Sequence, residues 1–439
     1  MLEKINNLVW GNGTLLLILA TGLYLTLKTR FYQLTDFRNI FSSTILSVFR
    51  KNNSESDGSG ISPFKTFSTT LAATMGTGNI VGVAAAVTIG GAGAIFWMWA
   101  SALLGMMIAY SENYLGTLYR YKNSDGAYTG GAIAYIEKGL GCKWLAVIYA
   151  MLCVCVSFGM GNMTQSSSIS NALSVGFGAP PILTGAVTAV LCSVVIIGGI
   201  KRIGSIMQFL IPFVSIGYIL YSLIIIIRNY ENIPLVCKNI FSGAFGISAV
   251  TGGISGTLIK SSIVTGLRRG VFSNEAGLGT ASLLHSASET KSPHVQGQWG
   301  IAEVFTDTIL CCTLTAFALL CKGGSLFDGN GRIMMGICVP LFAFATLIGW
   351  SYCGELAVKY LFGVNAIPFY RILFGAAIFI GAVIRLETVW TLADIFNGLM
   401  AIPNLTAILL LSGKIKRSRN IPIAKKTAAF LRRLSAFVR

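Results

Sequence analysis

The chain has 439 residues, 54% of them hydrophobic and only 11% charged, and its mean hydropathy is +0.71. A soluble domain carries roughly 25% charged residues, so a freely soluble fold is excluded and the chain belongs in lipid. The net charge of +17 lies in short clusters between apolar runs and in the tail from Lys414 to Arg439, without the basic stripe interleaved with aromatics that marks a nucleic-acid-binding module.

Taken in chain order, the apolar runs predict about eleven spanning helices, at 8–27, 66–90, 94–119, 144–174, 181–199, 204–227, 246–267, 299–321, 334–358, 367–384 and 389–411. Most are near the ~20 residues that cross a hydrocarbon core, 144–174 is long enough to tilt or extend beyond it, and the chain reads as an all-α membrane protein. The run from Leu8 to Leu27 has balanced charge upstream (Glu3, Lys4) and no small-residue cleavage pattern after it, so it is expected to be a retained helix and not a secretory signal. Phe31 to Arg50 alternates aromatic and basic residues and is expected to lie along the membrane surface. Asn52 to Gly60 is rich in Ser, Asn and Gly and reads as a flexible loop.

Charge placement tests this topology. With the N-terminus outside, only Lys4, Arg228, Lys238, Lys322, Arg332 and Arg385 fall on the outer side, Lys260 and Arg371 fall inside helices, and the rest of the 33 Lys and Arg are cytoplasmic. That is the bias of the positive-inside rule, and it places the basic tail in the cytoplasm beneath the cell membrane. The helices then divide into an extra N-terminal helix (1–30), a surface segment and loop (31–65), two sets of five (66–230 and 231–412) and a basic tail (413–439). Because five is odd, the two sets enter the bilayer in opposite senses, the layout of an inverted repeat in secondary transporters.

Helix two carries Thr74 and then Gly76-Thr77-Gly78-Asn79 near its midpoint. Glycine weakens a helix by about 1 kcal/mol relative to alanine. If the helix opens here, amide groups can bind a substrate carboxylate, and carbonyls with the Thr74 or Thr77 hydroxyl can bind a cation. Close helix packing by small residues is the competing reading. Helix seven is expected to match it, with Gly243, Gly246, Gly252, Gly253 and Gly256 among Ser248, Thr251, Ser255 and Thr257; paired glycine-interrupted helices point to a transporter's central site.

Other polar residues sit deep in apolar runs. The Gln165 amide can accept from an ammonium and donate to a carboxylate. Thr346 and Trp350 share a helix face, offering a hydroxyl and an indole wall, with an interfacial anchor as the alternative for Trp350. Asp307, more than Glu303 nearer the interface, is an intramembrane carboxylate and so a functional candidate. Arg268, Arg269 and Glu275 lie in a polar stretch (268–277) at a predicted cytoplasmic helix end, readable as a gate held by Arg–Glu pairs or as a structural loop. The ten cysteines and the two histidines, His285 and His294, form no metal-ligand pattern, no cofactor is expected, and no GxSxG, HExxH or P-loop suggests an enzyme.

Several stretches resemble the alanine or glycine:cation symporter family (sodium:alanine symporters). They are Gly90 to Trp99 with Gly105, Glu112 and Leu115-Gly116; Gly76 to Ile80; Phe272 to Gly277; Gly349 to Glu355; and Asn397 to Met400 with Pro403-Asn404. The resemblance implies the five-plus-five fold of the leucine transporter with an extra first helix, and uptake of alanine or glycine with Na+ or H+ across the bilayer. It implies that Asn79, Gln165, Thr346 and Trp350 line the substrate pocket, with Thr346 serving the substrate or the cation, and that broken helix two cradles both. The rival expectations are the same machine carrying another small solute, and a passive channel.

Overall fold

In a computed structural model the described residues are 2–49, 60–122, 128–246, 255–324, 330–384 and 386–417. They are almost entirely helical. The N-terminal run forms α1 (Leu2–Val9) and α2 (Asn12–Lys28), followed by short α3 (Tyr32–Thr35) and α4 (Phe37–Ser43). The expected loop at 52–60 lies outside the described residues apart from Gly60, as does the tail beyond 417.

The stretch expected as one helix over 66–90 is two, α5 (Pro63–Thr74) and α6 (Val81–Gly90). Ser62 caps α5 by accepting from the Lys65 amide, and Pro63 supplies the preset first-turn φ. Next come α7 (Gly93–Leu118), a two-stranded hairpin of β1 (Tyr121–Lys122) and β2 (Tyr128–Thr129), and the single turn α8 (Ala132–Ala134) running into a π turn. A long helix follows as α9 (Lys143–Phe158) and α10 (Thr164–Phe177), joined by a π turn over 159–163. After it come α11 (Pro181–Ile196) and α12 (Gly199–Arg228).

The second half departs from expectation. The apolar run after Arg228 first forms α13 (Ile233–Phe245), closed by Gly246 in the left-handed region. The helix predicted at 246–267 is α14 (Ser255–Asn274), shifted towards the C-terminus. Ser248, Thr251, Gly252 and Gly253 lie outside the described residues. Gly243 is a packing glycine: its backbone meets Gly93, where a Cβ on Gly93 would lie 2.3 Å from the Gly243 carbonyl carbon. The described interruption comes later, between α14 and the short α15 (Thr280–His285).

Four long elements complete the chain. α16 (Pro293–Val304) and α17 (Thr313–Cys321) form one rod through a π stretch over 305–312, and α18 (Asn330–Phe362), α19 (Ile367–Val383) and α20 (Leu386–Leu410) follow. Seven described helices are long and apolar enough to cross a bilayer, and Gly13–Lys28, Val81–Gly90 and Pro181–Ile196 are shorter apolar helices. The α14–α15 pair is not among them because its residues are too polar, and burial inside the bundle explains how that polarity is tolerated. α7 packs along both α14 and α16, and α18 packs against α5, α9 and α10, so the two interrupted segments face the centre.

The Gly93 contact generates a prediction. Gly93→Ala forces backbone apart at the α7–α13 crossing, and its thermal midpoint in detergent is expected to fall with a cost of about 1–3 kcal/mol; an unchanged midpoint contradicts this packing.

Candidate functional site

The first interruption begins where α5 loses its ladder. The Met75 amide still reaches the Leu71 carbonyl, at 2.7 Å, but the Gly76 amide turns back to Thr74 at 2.9 Å, a 3-10 turn spans 77–79, and helical bonding resumes with Ala84 to Ile80. The last carbonyls of α5 and the first amides of α6 thus lack intrahelical partners. These ends carry opposite partial charges, negative on α5 and positive on α6. Gly76 is required by close approach: a Cβ there would lie 2.5 Å from the Thr346 hydroxyl and 3.0 Å from Gln165 Oε1.

Two of the expected pocket residues, Gln165 and Thr346, converge on this gap. Gln165, just past the π turn of 159–163, accepts from the Thr77 amide at 3.3 Å and donates to the Met160 carbonyl at 3.2 Å. Thr346 donates to the Ala72 carbonyl at 2.9 Å, which places its hydroxyl at the negative end of α5. Trp350 is fully buried, not an interfacial anchor, because α18 extends well beyond it on both sides and its indole packs where Gly161 has no side chain. Thr77 is buried with its hydroxyl unpartnered, and the Thr74 hydroxyl turns back onto its own helix, at the Thr70 and Leu71 carbonyls. Gly78 packs against Ser273 of α14.

Asn79 points the other way, to α14 and the π stretch of 305–312. Its Nδ2 donates to Asp307 Oδ1 at 2.7 Å, while Ser273 and Thr308 hydroxyls donate to Oδ2 at 2.8 and 2.7 Å. The Asn79 Oδ1 is buried without a partner. One carboxylate, two hydroxyls and an amide oxygen are the oxygen-rich donor set that hard cations prefer.

The second interruption, residues 275–279, has a different finish. Glu275, Gly277 and Gly279 all take positive φ (55°, 104° and 80°). The amides of Gly277 and Gly279 donate to Glu112 Oε1 at 2.9 and 3.0 Å, and Asn404 donates to the same oxygen at 2.6 Å and to the Gly277 carbonyl at 2.8 Å. Tyr149 donates to the Leu278 carbonyl at 2.8 Å. The protein's own carboxylate therefore occupies the Gly277 and Gly279 amides.

The expected Arg–Glu gate is corrected. Glu275 accepts from Trp350 Nε1 at 2.8 Å and from the Thr280 hydroxyl at 2.6 Å. Arg268 instead pairs with Asp394 of α20, and Arg269 Nη1 stands 4.0 Å from Asp394 Oδ1. Phe272 and Trp390 stack beside them at 5.0 Å, with Arg269 over both rings. Arg268, Arg269 and Phe272 lie on α14 within two turns before the break, the arginines partly buried, and not in a loop. Glu112, Ser273, Asp394 and Asn404 escaped the site prediction. The signal for Glu112 was present, since a lone carboxylate amid the run at 94–119 is a functional candidate at bilayer depth.

Comparison with known proteins places this arrangement. The model of the sodium:alanine symporter family matches residues 1–421. The sodium/alanine symporter AgcS of Methanococcus maripaludis is 40% identical, over 94% of this chain and 95% of its own. From Bacillus subtilis, the putative sodium/proton-dependent alanine carrier protein YrbD and the probable sodium/glutamine symporter GlnT are each 34% identical, over 93% of this chain and 89% and 87% of theirs. A manganese transporter of Eremococcus coleocola shares the fold, with a TM-score of 0.50 at 14% identity over 79% of this chain and 76% of its own.

The Glu112 clasp is testable. Glu112→Ala strands two buried amides and the Asn404 side chain, at roughly 1–3 kcal/mol each, and its thermal midpoint should fall well below that of Glu112→Gln, which keeps an acceptor oxygen. Equal midpoints would show that the carboxylate does not hold the break.

Proposed function

The chain belongs to the sodium:alanine symporter family, and from that premise we propose that it imports alanine or glycine together with Na+ or H+ by alternating access. It is a multi-pass membrane transporter and not an enzyme. The finer topology proposed is eleven spans, one extra helix plus two inverted sets of five as in the leucine transporter, with the N-terminus outside and the tail in the cytoplasm. The observation that carries the proposal is the break between α5 and α6, against which Gln165 and Thr346 are placed.

In this reading each end of the gap takes the charge its dipole favours. The substrate carboxylate sits at the first amides of α6 with Gly76, Thr77 and Gly78, and its ammonium faces Gln165 and the terminal carbonyls of α14. Trp350 closes the pocket over a small side chain. The coupling cation has two candidate positions. One is the end of α5, where the Ala72 carbonyl meets Thr346 near Thr74 and Thr77; the other is the Asn79, Ser273, Asp307 and Thr308 cluster, whose carboxylate supplies the charge. Arg268, Arg269 and Asp394 with Phe272 and Trp390 form the barrier that parts to admit substrate, while Glu275 ties Trp350 to the second break.

A second substrate, another small neutral amino acid, is favoured by the kinship with a probable glutamine symporter. Proteoliposomes with an imposed sodium or proton gradient distinguish these readings. Labelled alanine or glycine should accumulate above its outside concentration with one of the two gradients. Glutamine accumulation without alanine or glycine would favour the second reading, and downhill leakage alone would support a channel.

Asn79→Ala removes the amide that joins the first gap to Asp307. Uptake should drop at least tenfold, about 1.4 kcal/mol of coupling, in a protein that still elutes as a folded species; full uptake would remove Asn79 from the site.

A further inference from the structure

His285, the last residue of α15, is buried against α16. Its Nε2 lies 3.3 Å from Glu303 Oε2, and its Nδ1 meets the side-chain amide of Gln296, two turns before Glu303 on the same helix. All three side chains are at most 1% exposed. Glu303 Oε1 and Gln296 Oε1 have no hydrogen-bond partner, and no lysine or arginine among the described residues pairs with Glu303. The transport site described above uses none of them.

Gln296 is the informative member. As placed, its Nε2 donates to Nδ1, which fits a neutral imidazole whose Nε2–H donates to Glu303. When the imidazole gains a second proton both ring nitrogens become donors. Half a turn of the amide then presents its unpartnered oxygen to Nδ1–H, and the imidazolium stays bonded to Glu303. One rotor therefore satisfies both charge states, whereas a fixed donor would satisfy only one.

The neighbouring charges give this choice a consequence. Asp307 stands about one turn beyond Glu303 on the same rod, and Glu112 of α7 and Glu275 of the second break are further acids buried in the interior. Two nearby basic groups are committed elsewhere: Arg120 donates to the carbonyls of Ser286, Ser288 and Thr290, and Lys65 of α5 to Ser205. Tyr110 of α7 is bonded to His294 and the Lys416 carbonyl, Tyr135 beside α8 to Asn404, and Glu355 of α18 to Arg371. A cation arriving at Asp307 would relieve the same excess of negative charge that a proton on His285 relieves, and charges in a low-dielectric interior feel one another strongly.

We propose that the His285–Glu303 pair, with Gln296 as its reversible partner, is a proton-binding site that loads a single proton when the cation site is empty and releases it when the cation binds. The proton adds to Nδ1, turning a pair of net charge −1 into a neutral imidazolium–carboxylate pair, and leaves from the same nitrogen. By linkage, proton and cation each weaken the other's binding to the same degree. This deepens, and rests on, the cation-coupled reading.

The chain has two histidines, so His294→Gln leaves His285 as the single imidazole without altering the proposed site. Nitrogen-15 spectra of that full-length variant in lipid nanodiscs, at one pH, should show two protonated ring nitrogens in choline buffer. One bare nitrogen should appear after sodium and alanine are added. The same pattern in both conditions, whether neutral or charged, overturns the proposal. Independently, sodium and alanine added to weakly buffered wild-type protein should release a proton to an indicator dye, and Glu303→Gln should lose at least nine-tenths of that release. Undiminished release from Glu303→Gln also overturns it; if that variant does not fold, the histidine spectra decide. Wild-type uptake that persists without any proton release sinks this site but leaves the symport reading standing. Absence of all concentrative uptake sinks the symport reading itself.

Discussion

A peptide group inside a bilayer must have a partner within the protein, because hydrocarbon offers none and each orphan costs several kcal/mol. The chain breaks two helices in its interior and answers this constraint differently each time. At 275–279 the amides are satisfied by Glu112, and Asn404 and Tyr149 take up carbonyls. At 75–80 only the Thr77 amide has found a side-chain acceptor, in Gln165. In the proposed reading the first gap is where an incoming zwitterion completes bonding that the protein leaves unfinished, beside a second break that the protein braces itself.

The bracing links the gaps. Glu275 holds Trp350, Trp350 rests on the backbone of Gly161, and Gly161 belongs to the π turn that presents Gln165 to the first gap. On the other face, Asn79 joins the same gap to Asp307 in a second π stretch. Such π turns recur at functional positions because they release one carbonyl from the ladder and re-aim a side chain. The end of α14 is thus bonded to both sides, through Glu275 to Trp350 and through Ser273 to the acidic cluster at Asp307.

Much of the bundle was legible in the sequence because long apolar runs have few alternatives in lipid. The gap after Thr74 was legible for the same reason: Gly76 and Gly78 stand amid Thr and Asn in an otherwise apolar run. The second break was misplaced by a rule that usually serves well. Arg268, Arg269, Asn274 and Glu275 look like an aqueous loop, yet Asp394, Asn404 and Trp350, remote in sequence, neutralise or bond that polarity in the interior. Gly243 looked like an interruption and is a close-packing contact with Gly93. The π turns leave no mark in composition, so the aim of Gln165 and Asp307 was readable only from coordinates.

The central claim is that the gap between α5 and α6 binds both ends of a small amino acid, the carboxylate at the amides of α6 and the ammonium opposite. Ligand-induced thermal stabilisation of the purified protein, in sodium or proton-rich buffer, tests it most directly. Alanine or glycine should raise the unfolding midpoint in proportion to the logarithm of its concentration, whereas alaninol, which lacks the carboxylate, and propionate, which lacks the ammonium, should not. Equal stabilisation by alaninol would mean that the open amides grip nothing, and the account would be wrong at its root.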